Sequence, residues 1–554
     1  MMLKRTPSIE NWILVGFLVF GFFGILQHEM WRDEMQAWLL ARDSASVLDL
    51  FHVMQYEGHP ALWHLCLYGI SQMTQQVFFV QVFHFLISLG IVYIIVRHSP
   101  FLPLQKFFLS FSYFIFFEYT FVSRNYNLGV LFLLLFCVAY YRPKPRYILL
   151  AALLALAANT NVYAFMVSIA LALFWLLDVF RQVNVRQIPH KQIAITGIVL
   201  GAGWGLSALK LLRVMLPQLT GNFLSIDVRP DVLVSSSTLQ MIPNISSRSL
   251  SASDLVANVA RTLTDIWKSY APISSFSDVH FWNTNLLTAN DEVFSFFGIA
   301  VGDYLALGLA IAMLGITTYI LSRNFPVLCM YVVGNAILFI FRLGIHDDAF
   351  NRHIGHFFIL FIMSLWLSNA HLSKPPNISK RPSKIFSKIT TENDRFLLQR
   401  RFLTLVLAVQ FLAGIHAAGM DYLYPFSTGK LAAAYLRDHN LSEMEIFGSR
   451  YRQASLLSGY LNKPIYYPEY GEFGSFWTTR APEIEDEGEL LDAIRTKLDR
   501  TEGQTLVLAL TDPLESLNAM DMTIDELIQF ESSIVSSETF YLYLAQGNTV
   551  HSRQ

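Results

Sequence analysis

Long apolar stretches recur along this chain and constrain its fold more than any other feature. A run of roughly 17 to 25 apolar residues can cross the hydrocarbon core of a bilayer as a helix. Such runs, with a few shorter ones, lie near residues 11–27, 76–96, 104–121, 126–141, 147–160, 161–180, 191–216, 293–321, 326–343, 354–370 and 401–419. They predict a polytopic α-helical membrane protein with about eleven transmembrane helices.

The composition supports the same class. Of 554 residues, 53% are hydrophobic and 15% are charged, which is too little charge to cover the surface of a soluble protein. The net charge of -2 gives no sign of a nucleic-acid partner, and we expect none. The three cysteines, Cys66, Cys137 and Cys329, lie in apolar runs without metal-ligand spacing. They predict neither a disulfide framework nor a zinc site.

Lys and Arg predict the orientation of the spans. Counting each span once places the basic segments on one side, which the positive-inside rule makes the cytoplasm. These segments contain Lys4 and Arg5, Arg97 and Lys106, residues 142–146, residues 181–191, Arg323 and residues 374–401. No small-x-small cleavage site follows the first apolar stretch, which we therefore interpret as a retained span. The prediction is a multi-pass plasma (inner) membrane protein.

The outward segments carry most of the unusual residues. The first outward loop covers residues 28–60, and a longer one covers 217–292, in which "SASDLVANVARTLTDIWKSYAPI" predicts a helix on the outer surface of the bilayer. The tail alternates helical and strand patterns and ends with a helix before "TFYLYLAQ". We predict a transmembrane domain over 1–420 and a small extracytoplasmic α/β domain with a partly parallel sheet over 421–554.

The first outward loop combines acidic and aromatic residues where the first span ends. In "WRDEMQAW", Arg32, Asp33 and Glu34 stand between two tryptophans of the kind that anchor at membrane interfaces. Glu57 follows in "EGHPALWHL". A carboxylate beside lipid can act as a proton acceptor, although an Asp-Glu pair in a loop is also an ordinary solvated surface. The Glu57 segment could likewise be a turn that begins an interfacial helix.

Other polar residues fall on the same predicted face. Arg124 and Tyr126 lie in "SRNYN", while His346, Arg352 and His353 lie in "IHDDAFNRH". Both segments could bind phosphate or, in the second case, a metal ion, and both could be ordinary loops between spans. Glu118 is costly inside a bilayer, and Lys210 is expected to extend toward an interface.

The order and predicted sidedness of these motifs resemble the GT-C membrane glycosyltransferases. The resemblance is closest to the branch with protein O-mannosyltransferases and the bacterial aminoarabinose transferases of lipid A. It covers roughly the first 200 residues by motif and the remaining membrane region by span order. It implies transfer of a sugar from a polyprenyl-phosphate-linked donor to an acceptor hydroxyl on the extracytoplasmic side, usually with inversion. The acceptor would be a protein, a glycolipid or an envelope polymer.

The resemblance also implies roles for individual residues. Asp33 would be the general base, Glu34 would position Asp33 or the acceptor, and Glu57 would bind sugar, acceptor or metal. The residues implied to bind substrate or phosphate are Arg32, His59, Arg124, Tyr126, Arg352 and His353. Where this chain has His59 before Pro60, the family commonly has Pro-Pro, and Arg352 is a weaker match than Arg124.

No nucleotide or redox cofactor is required, because phosphate is already a good leaving group. A divalent metal ion held by Glu57 with His346 or His353 is left open. Two other functions are kept as alternatives. A lipid-linked sugar flippase or transporter would generally show inverted repeats and charges near the middle of the membrane, whereas the acidic residues here gather at one outer rim. A non-catalytic receptor or assembly factor would act through its tail.

Overall fold

The computed structural model describes residues 8–142, 146–182, 188–220, 252–276, 278–288, 295–296, 299–345, 350–372, 385–478, 481–501, 505–515, 518–519 and 522–547. Among these residues, seven helices are long and apolar enough to cross a membrane. They are Ile9–Gln27, Phe78–His98, Val162–Arg181, His190–Arg213, Val301–Leu321, Phe325–Gly344 and Asp394–Leu423. Two further apolar helices, Tyr126–Tyr140 and Tyr147–Ala158, are shorter. The chain is therefore a helical polytopic membrane protein.

Fifteen α-helices of the described ranges precede the C-terminal domain. They are α1 Ile9–Gln27, α2 Arg32–Arg42, α3 Val47–Val53, α4 Leu62–Ser71, α5 Phe78–His98, α6 Pro103–Ser110, α7 Tyr126–Tyr140, α8 Tyr147–Ala158, α9 Val162–Gln182, α10 His190–Thr220, α11 Ala252–Tyr270, α12 Val301–Leu321, α13 Phe325–Ile345, α14 Asn351–Leu372 and α15 Ile385–Leu423. A two-stranded hairpin, β1 Ser295–Phe296 and β2 Ile299–Ala300, precedes α12. α2 and α3 occupy the first predicted loop, 28–60, and α4 follows it.

The prediction of one continuous span over 104–121 is wrong. α6 ends at Ser110, and the chain resumes at Tyr113–Glu118 as a short π-helical segment. The Ser112 hydroxyl accepts the Ile115 N–H at 3.4 Å and so caps this second segment. At the break, α15 approaches the backbone so closely that a Cβ on Gly414 would lie 2.6 Å from the Phe111 carbonyl oxygen. Apolar composition alone did not reveal this break.

The predicted spans at 147–160 and 161–180 are separated by a turn. α8 ends at Ala158, and the Asn159 side-chain amide donates to the Gly203 carbonyl of α10 at 2.9 Å. A helix of 12 residues is about 18 Å long, which is short of the bilayer core. The described part of the chain thus supports seven candidate spans rather than the predicted eleven.

The helix predicted in the long outward loop is present as α11. One of its faces packs against other helices rather than lying only on a surface. Tyr270 is buried and its hydroxyl lies 2.9 Å from that of Tyr331 in α13, while Asp265 pairs with Arg342 at 3.4 Å. Leu255 and Val256 near its start are exposed. In the loop that follows, Trp282 reaches the candidate site described below.

A mixed sheet forms the C-terminal domain. Its elements are α16 Gly429–Asp438, β3 Ile446–Gly448, α17 Tyr451–Leu461, β4 Ile465–Tyr467, β5 Glu472–Gly474, α18 Glu487–Leu498, β6 Thr505–Leu510, β7 Asn518–Ala519, β8 Met522–Phe530 and β9 Phe540–Gly547. The strand order is β5-β4-β3-β6-β9-β8-β7. β3 pairs in parallel with β4 and β6, and the other pairs are antiparallel. The predicted partly parallel sheet is confirmed.

The helix predicted before "TFYLYLAQ" is wrong, since residues 522–530 form strand β8. This strand pairs with β9 from Met522 opposite Gly547 to Phe530 opposite Phe540, with an irregularity between Glu526 and Ile528. The stretch "DELIQ" has the composition of a helix. Pairing with a buried neighbouring strand overrides that local preference.

The C-terminal domain packs directly on α2. The Gln36 side chain donates to the Trp477 carbonyl at 2.6 Å and accepts from the Trp477 N–H at 3.3 Å. α17 lies against the same helix, because a Cβ on Gly459 would overlap the Met35 side chain. The Tyr460 hydroxyl accepts the Met30 N–H at 2.9 Å. These contacts fix the helix that carries Asp33.

Candidate active site

Asp33 lies in the first turn of α2 and faces arginines from three separate parts of the chain. Its Oδ2 is 3.4 Å from Nη2 of Arg352 in α14 and 3.8 Å from Nη2 of Arg124, which precedes α7. Arg32 Nε lies 4.0 Å from the other carboxylate oxygen. Arg124 also donates to the Asp33 main-chain carbonyl. The Asp33 side chain is 27% exposed, whereas those of Arg124 and Arg352 are only 14% and 6% exposed.

The arginines determine the protonation of Asp33. Burial alone would raise the pKa of the Asp33 carboxyl, but Arg124, Arg352 and Arg32 lower it below its ordinary value. Asp33 is therefore an ionised carboxylate at neutral pH. A partly exposed carboxylate beside buried cations can accept a proton while the cations bind an anion.

Glu34 is directed into the protein rather than toward the exposed side of Asp33. It is buried, and its oxygens accept from the Trp31 N–H at 3.1 Å, from the Ser123 N–H and from His28 Nε2 at 3.2 Å. The Trp31 contact caps the start of α2. The Ser123 contact ties α2 to the turn that carries Arg124. Glu34 thus fixes the orientation of the Asp33 segment.

His28 joins two carboxylates at the base of this segment. Its Nδ1 lies 3.0 Å from Asp421 of α15, and its Nε2 contacts Glu34. Burial alone would lower the pKa of the imidazole, but Asp421 and Glu34 raise it to about 10. His28 is therefore a buried imidazolium that donates to both carboxylates and links α1, α2 and α15. Its role was not predicted from the sequence, because Asp421 is 393 positions away.

His59, Tyr126 and His353 meet at one hydroxyl group. The Tyr126 oxygen lies 3.3 Å from His59 Nε2 and 3.0 Å from His353 Nε2. Burial and the neighbouring Arg124 lower the pKa of His59 to about 3, so His59 is neutral. Nδ1 of each histidine is buried without a hydrogen-bond partner in the described part of the chain, as is Nε of Arg124. These unpaired polar atoms suit a polar ligand, since buried polar groups are normally satisfied.

Glu57 lies within the electrostatic reach of this cluster. Burial raises the pKa of the Glu57 carboxyl, Arg124 opposes that rise, and Asp33 adds to it. The described residues contain no group of three or more His, Cys, Asp or Glu arranged to hold a metal ion. His346, one of the two histidines left open as a partner of Glu57 for such an ion, lies outside the described residues.

Several contributors to the site escape sequence reasoning. Arg32 donates its N–H to Glu538 at 3.2 Å and its Nη1 to the Ser537 hydroxyl at 3.1 Å, both from the segment between β8 and β9. Burial raises the pKa of Glu538 to about 7 against the opposing effect of Arg32. Lys210, which was expected to extend toward an interface, donates to the Met54 carbonyl, and the same carbonyl accepts the Glu57 N–H. No local pattern in the sequence marks these long-range contacts.

The chain has similarity to known proteins at the level of structure and not of sequence. No family model and no curated protein matches the chain. Among solved structures, the chain is similar to ArnT from Cupriavidus metallidurans, whose crystal structure is described as bound to undecaprenyl phosphate. The TM-score is 0.46 at 10% sequence identity, and the match covers 96% of this chain and 97% of ArnT.

Proposed function

We propose that this protein is a glycosyltransferase that moves a sugar from a polyprenyl-phosphate-linked donor to an acceptor hydroxyl on the extracytoplasmic side of the membrane. One observation carries the proposal. Asp33 is a partly exposed carboxylate faced by arginines from three separate parts of the chain, at the place where the first candidate span ends. A base beside an anion site at headgroup depth suits a lipid phosphate donor and a polar acceptor.

In this mechanism Asp33 is the general base. Its carboxylate takes the proton of the acceptor hydroxyl while the acceptor oxygen forms a bond to the anomeric carbon of the donor sugar. The bond between that carbon and the phosphate oxygen breaks, and polyprenyl phosphate leaves with the bonding electron pair. A single displacement of this kind inverts the anomeric configuration. Glu57, close to Asp33 and Arg124, would bind the sugar or the acceptor.

Charged and neutral groups would share the phosphate. Arg124 and Arg352 would bind its oxygens as guanidinium forks, and Arg32 would contribute charge from the side of the C-terminal domain. His59, Tyr126 and His353 would add hydrogen bonds without charge. The guanidinium groups would also stabilise the negative charge that develops on the leaving phosphate.

The remaining assignments complete the proposal. Residues 1–420 would hold the transmembrane catalytic domain in the plasma (inner) membrane, and residues 421–554 the extracytoplasmic domain. The acceptor would be a protein, a glycolipid or an envelope polymer. The direct contacts of Gln36, Arg32 and Met30 with the C-terminal domain support a role of that domain in holding the catalytic helix.

Transfer is tested with purified full-length protein in nanodiscs and a panel of polyprenyl-phosphate sugars. We expect free polyprenyl phosphate to be released only when an extract of the cell envelope supplies the acceptor, with the sugar recovered on a component of that extract. A flippase would instead move labelled donor across a vesicle membrane without cleaving it. Movement without cleavage, for every donor in the panel, would contradict the proposal.

A further inference from the structure

Glu118 is a buried carboxyl group that the proposed mechanism does not use. It ends the π-helical segment Tyr113–Glu118 and is 1% exposed. Its Oε2 accepts two hydrogen bonds, one from the Tyr113 hydroxyl and one from Trp282 Nε1, both at 3.1 Å. Such a group is costly to bury in an apolar region, so its contacts call for a functional reason.

Trp282 connects Glu118 to the candidate active site. The indole lies edge-on to Trp31, with ring centroids 4.8 Å apart. The Arg352 guanidinium lies 5.7 Å from the Trp282 ring, 4.9 Å from the Trp31 ring and 4.2 Å from the Phe350 ring. Three aromatic rings thus surround the cation that faces Asp33, in a buried setting where cation–π contacts are strongest.

The network closes through the residue next to Arg352. The Asn351 side-chain amide donates to the Tyr113 hydroxyl at 2.8 Å, and the Tyr113 hydroxyl donates to Glu118. Glu118 is therefore connected by hydrogen bonds to Asn351, the residue before Arg352, and to the Trp282 ring, which packs on the Arg352 guanidinium. Both routes end at the same cation.

We propose that Glu118 is a positioning residue for Arg352, acting through the indole of Trp282 and through Tyr113. The proposal deepens the proposed function and rests on it for the identity of the phosphate that Arg352 binds. Among the described residues Glu118 forms hydrogen bonds with Tyr113 and Trp282 and none with Asp33, and it touches no reacting atom of the proposed mechanism. Its effect is to hold the Arg352 guanidinium in the orientation that meets both Asp33 and the donor phosphate.

Glu118 performs this role as a hydrogen-bond acceptor. One of its oxygens accepts both bonds, whereas Oε1 is buried without a hydrogen-bond partner among the described residues. A glutamine oxygen can accept the same two bonds. The substitution Glu118→Gln should therefore preserve the position of Trp282, while Glu118→Ala should release it.

The test measures binding and transfer separately. Full-length wild type, Glu118→Gln, Glu118→Ala and Trp282→Phe are compared for the Kd of a polyprenyl phosphate without sugar, for kcat and donor KM, and for thermal unfolding. Trp267→Phe is the matched control, because its indole N–H donates to Asn285 at 3.3 Å and not to Glu118. Trp282→Phe keeps an aromatic ring but removes the N–H that reaches Glu118.

We expect Glu118→Gln and Trp267→Phe to bind polyprenyl phosphate within about twofold of wild type. Glu118→Ala should weaken binding about tenfold, the loss expected when a buried cation–π contact is displaced. Trp282→Phe should also weaken the binding of polyprenyl phosphate. If none of the proteins transfers sugar but this binding order is found, the proposed function fails and the role of Glu118 stands.

Three results would overturn the role of Glu118. The first is Glu118→Gln binding as weakly as Glu118→Ala, which would mean that the charge is needed. The second is a lower unfolding temperature of Glu118→Ala with unchanged Kd, which would make Glu118 purely structural. The third is a wild type that does not bind polyprenyl phosphate, because Arg352 would then have no phosphate to bind.

Discussion

At the scale of single residues, Asp33 combines ionisation with partial exposure. Three arginines keep its carboxyl ionised, and two of them, Arg124 and Arg352, have buried surroundings that strengthen their attraction for an anion. A bound phosphate would compete with Asp33 for the charge of these arginines. The residues that bind the donor and the residue that activates the acceptor therefore act on each other directly.

The lowered pKa of Asp33 predicts the acid side of the pH profile. The pKa of the carboxyl lies below its ordinary value of 3.8, so Asp33 stays ionised in the free protein throughout the mildly acidic range. Protonation of Asp33 should therefore not lower kcat/KM with an apparent pKa of 5 or higher. A folded-state pKa below the unfolded one also adds stability that is lost only as pH falls through the folded value. The measurement is kcat/KM from pH 4 to 8. If protonation of Asp33 lowered kcat/KM with a midpoint near pH 6, this would contradict the arginine contacts.

His28 predicts a pH dependence of stability with the opposite sign. Its pKa is about 10 in the folded protein and 6.5 without its partners, so its stabilising effect is complete below pH 6.5 and is lost as pH rises toward 10. We expect the unfolding temperatures of wild type and His28→Gln to differ most near pH 6 and to converge by pH 10. A difference independent of pH would show that His28 is not an imidazolium between Glu34 and Asp421.

At the scale of elements, the break between α6 and the Tyr113–Glu118 segment depends on a backbone contact from α15. A Cβ on Gly414 would lie 2.6 Å from the Phe111 carbonyl oxygen and 2.8 Å from the Tyr113 nitrogen. We expect Gly414→Ala to destabilise the fold by about 1–3 kcal/mol, the usual cost of overpacking. The measurement is unfolding in denaturant.

The control for this change lies on the same helix. A Cβ on Gly419 meets nothing within 4 Å, so Gly419→Ala should leave stability unchanged or raise it slightly. Because Gly414 contacts the start of the segment that ends at Glu118, Gly414→Ala should also weaken donor binding. Equal unfolding profiles for the two variants would show that α15 does not hold this break.

The sequence predicted most helices because their apolar runs are long and continuous. It failed at 104–121 and at 522–530 for the same physical reason. In each place a distant segment, α15 or β9, supplies contacts that override the local preference. In the site, Asp33, Arg124 and Arg352 stood out as charges at the ends of apolar runs. Trp282 and Glu538 did not, since only the folded chain brings them to these charges.

At the scale of the whole molecule, the acidic loop, the Arg124 turn, the start of α14 and the C-terminal domain meet in one region. Because these four parts contact one another through Asp33 and Arg32, they lie on the same side of the membrane. Arg97 and Lys106 meet Glu10 of α1 at 3.2 and 2.7 Å, which groups the basic ends on another side. The positive-inside rule predicts that the candidate site faces away from the cytoplasm.

Cysteine labelling tests this orientation. Asp438→Cys lies at the exposed end of α16, and Ser322→Cys lies in the exposed turn between α12 and α13. We expect a membrane-impermeant maleimide to label position 438 in intact cells and position 322 only after permeabilisation, both relative to the parent chain. The reverse pattern would place the candidate site in the cytoplasm.

The central claim is that Asp33 removes the proton of the acceptor hydroxyl, and one comparison tests it most directly. Wild type and Asp33→Asn, which keeps the shape of the side chain, are assayed in nanodiscs for acceptor-dependent release of polyprenyl phosphate from the sugar donor that wild type uses. We expect kcat to fall about a hundredfold or more in the variant, the scale of a lost general base, with the protein still folded. Equal release by both proteins would contradict it.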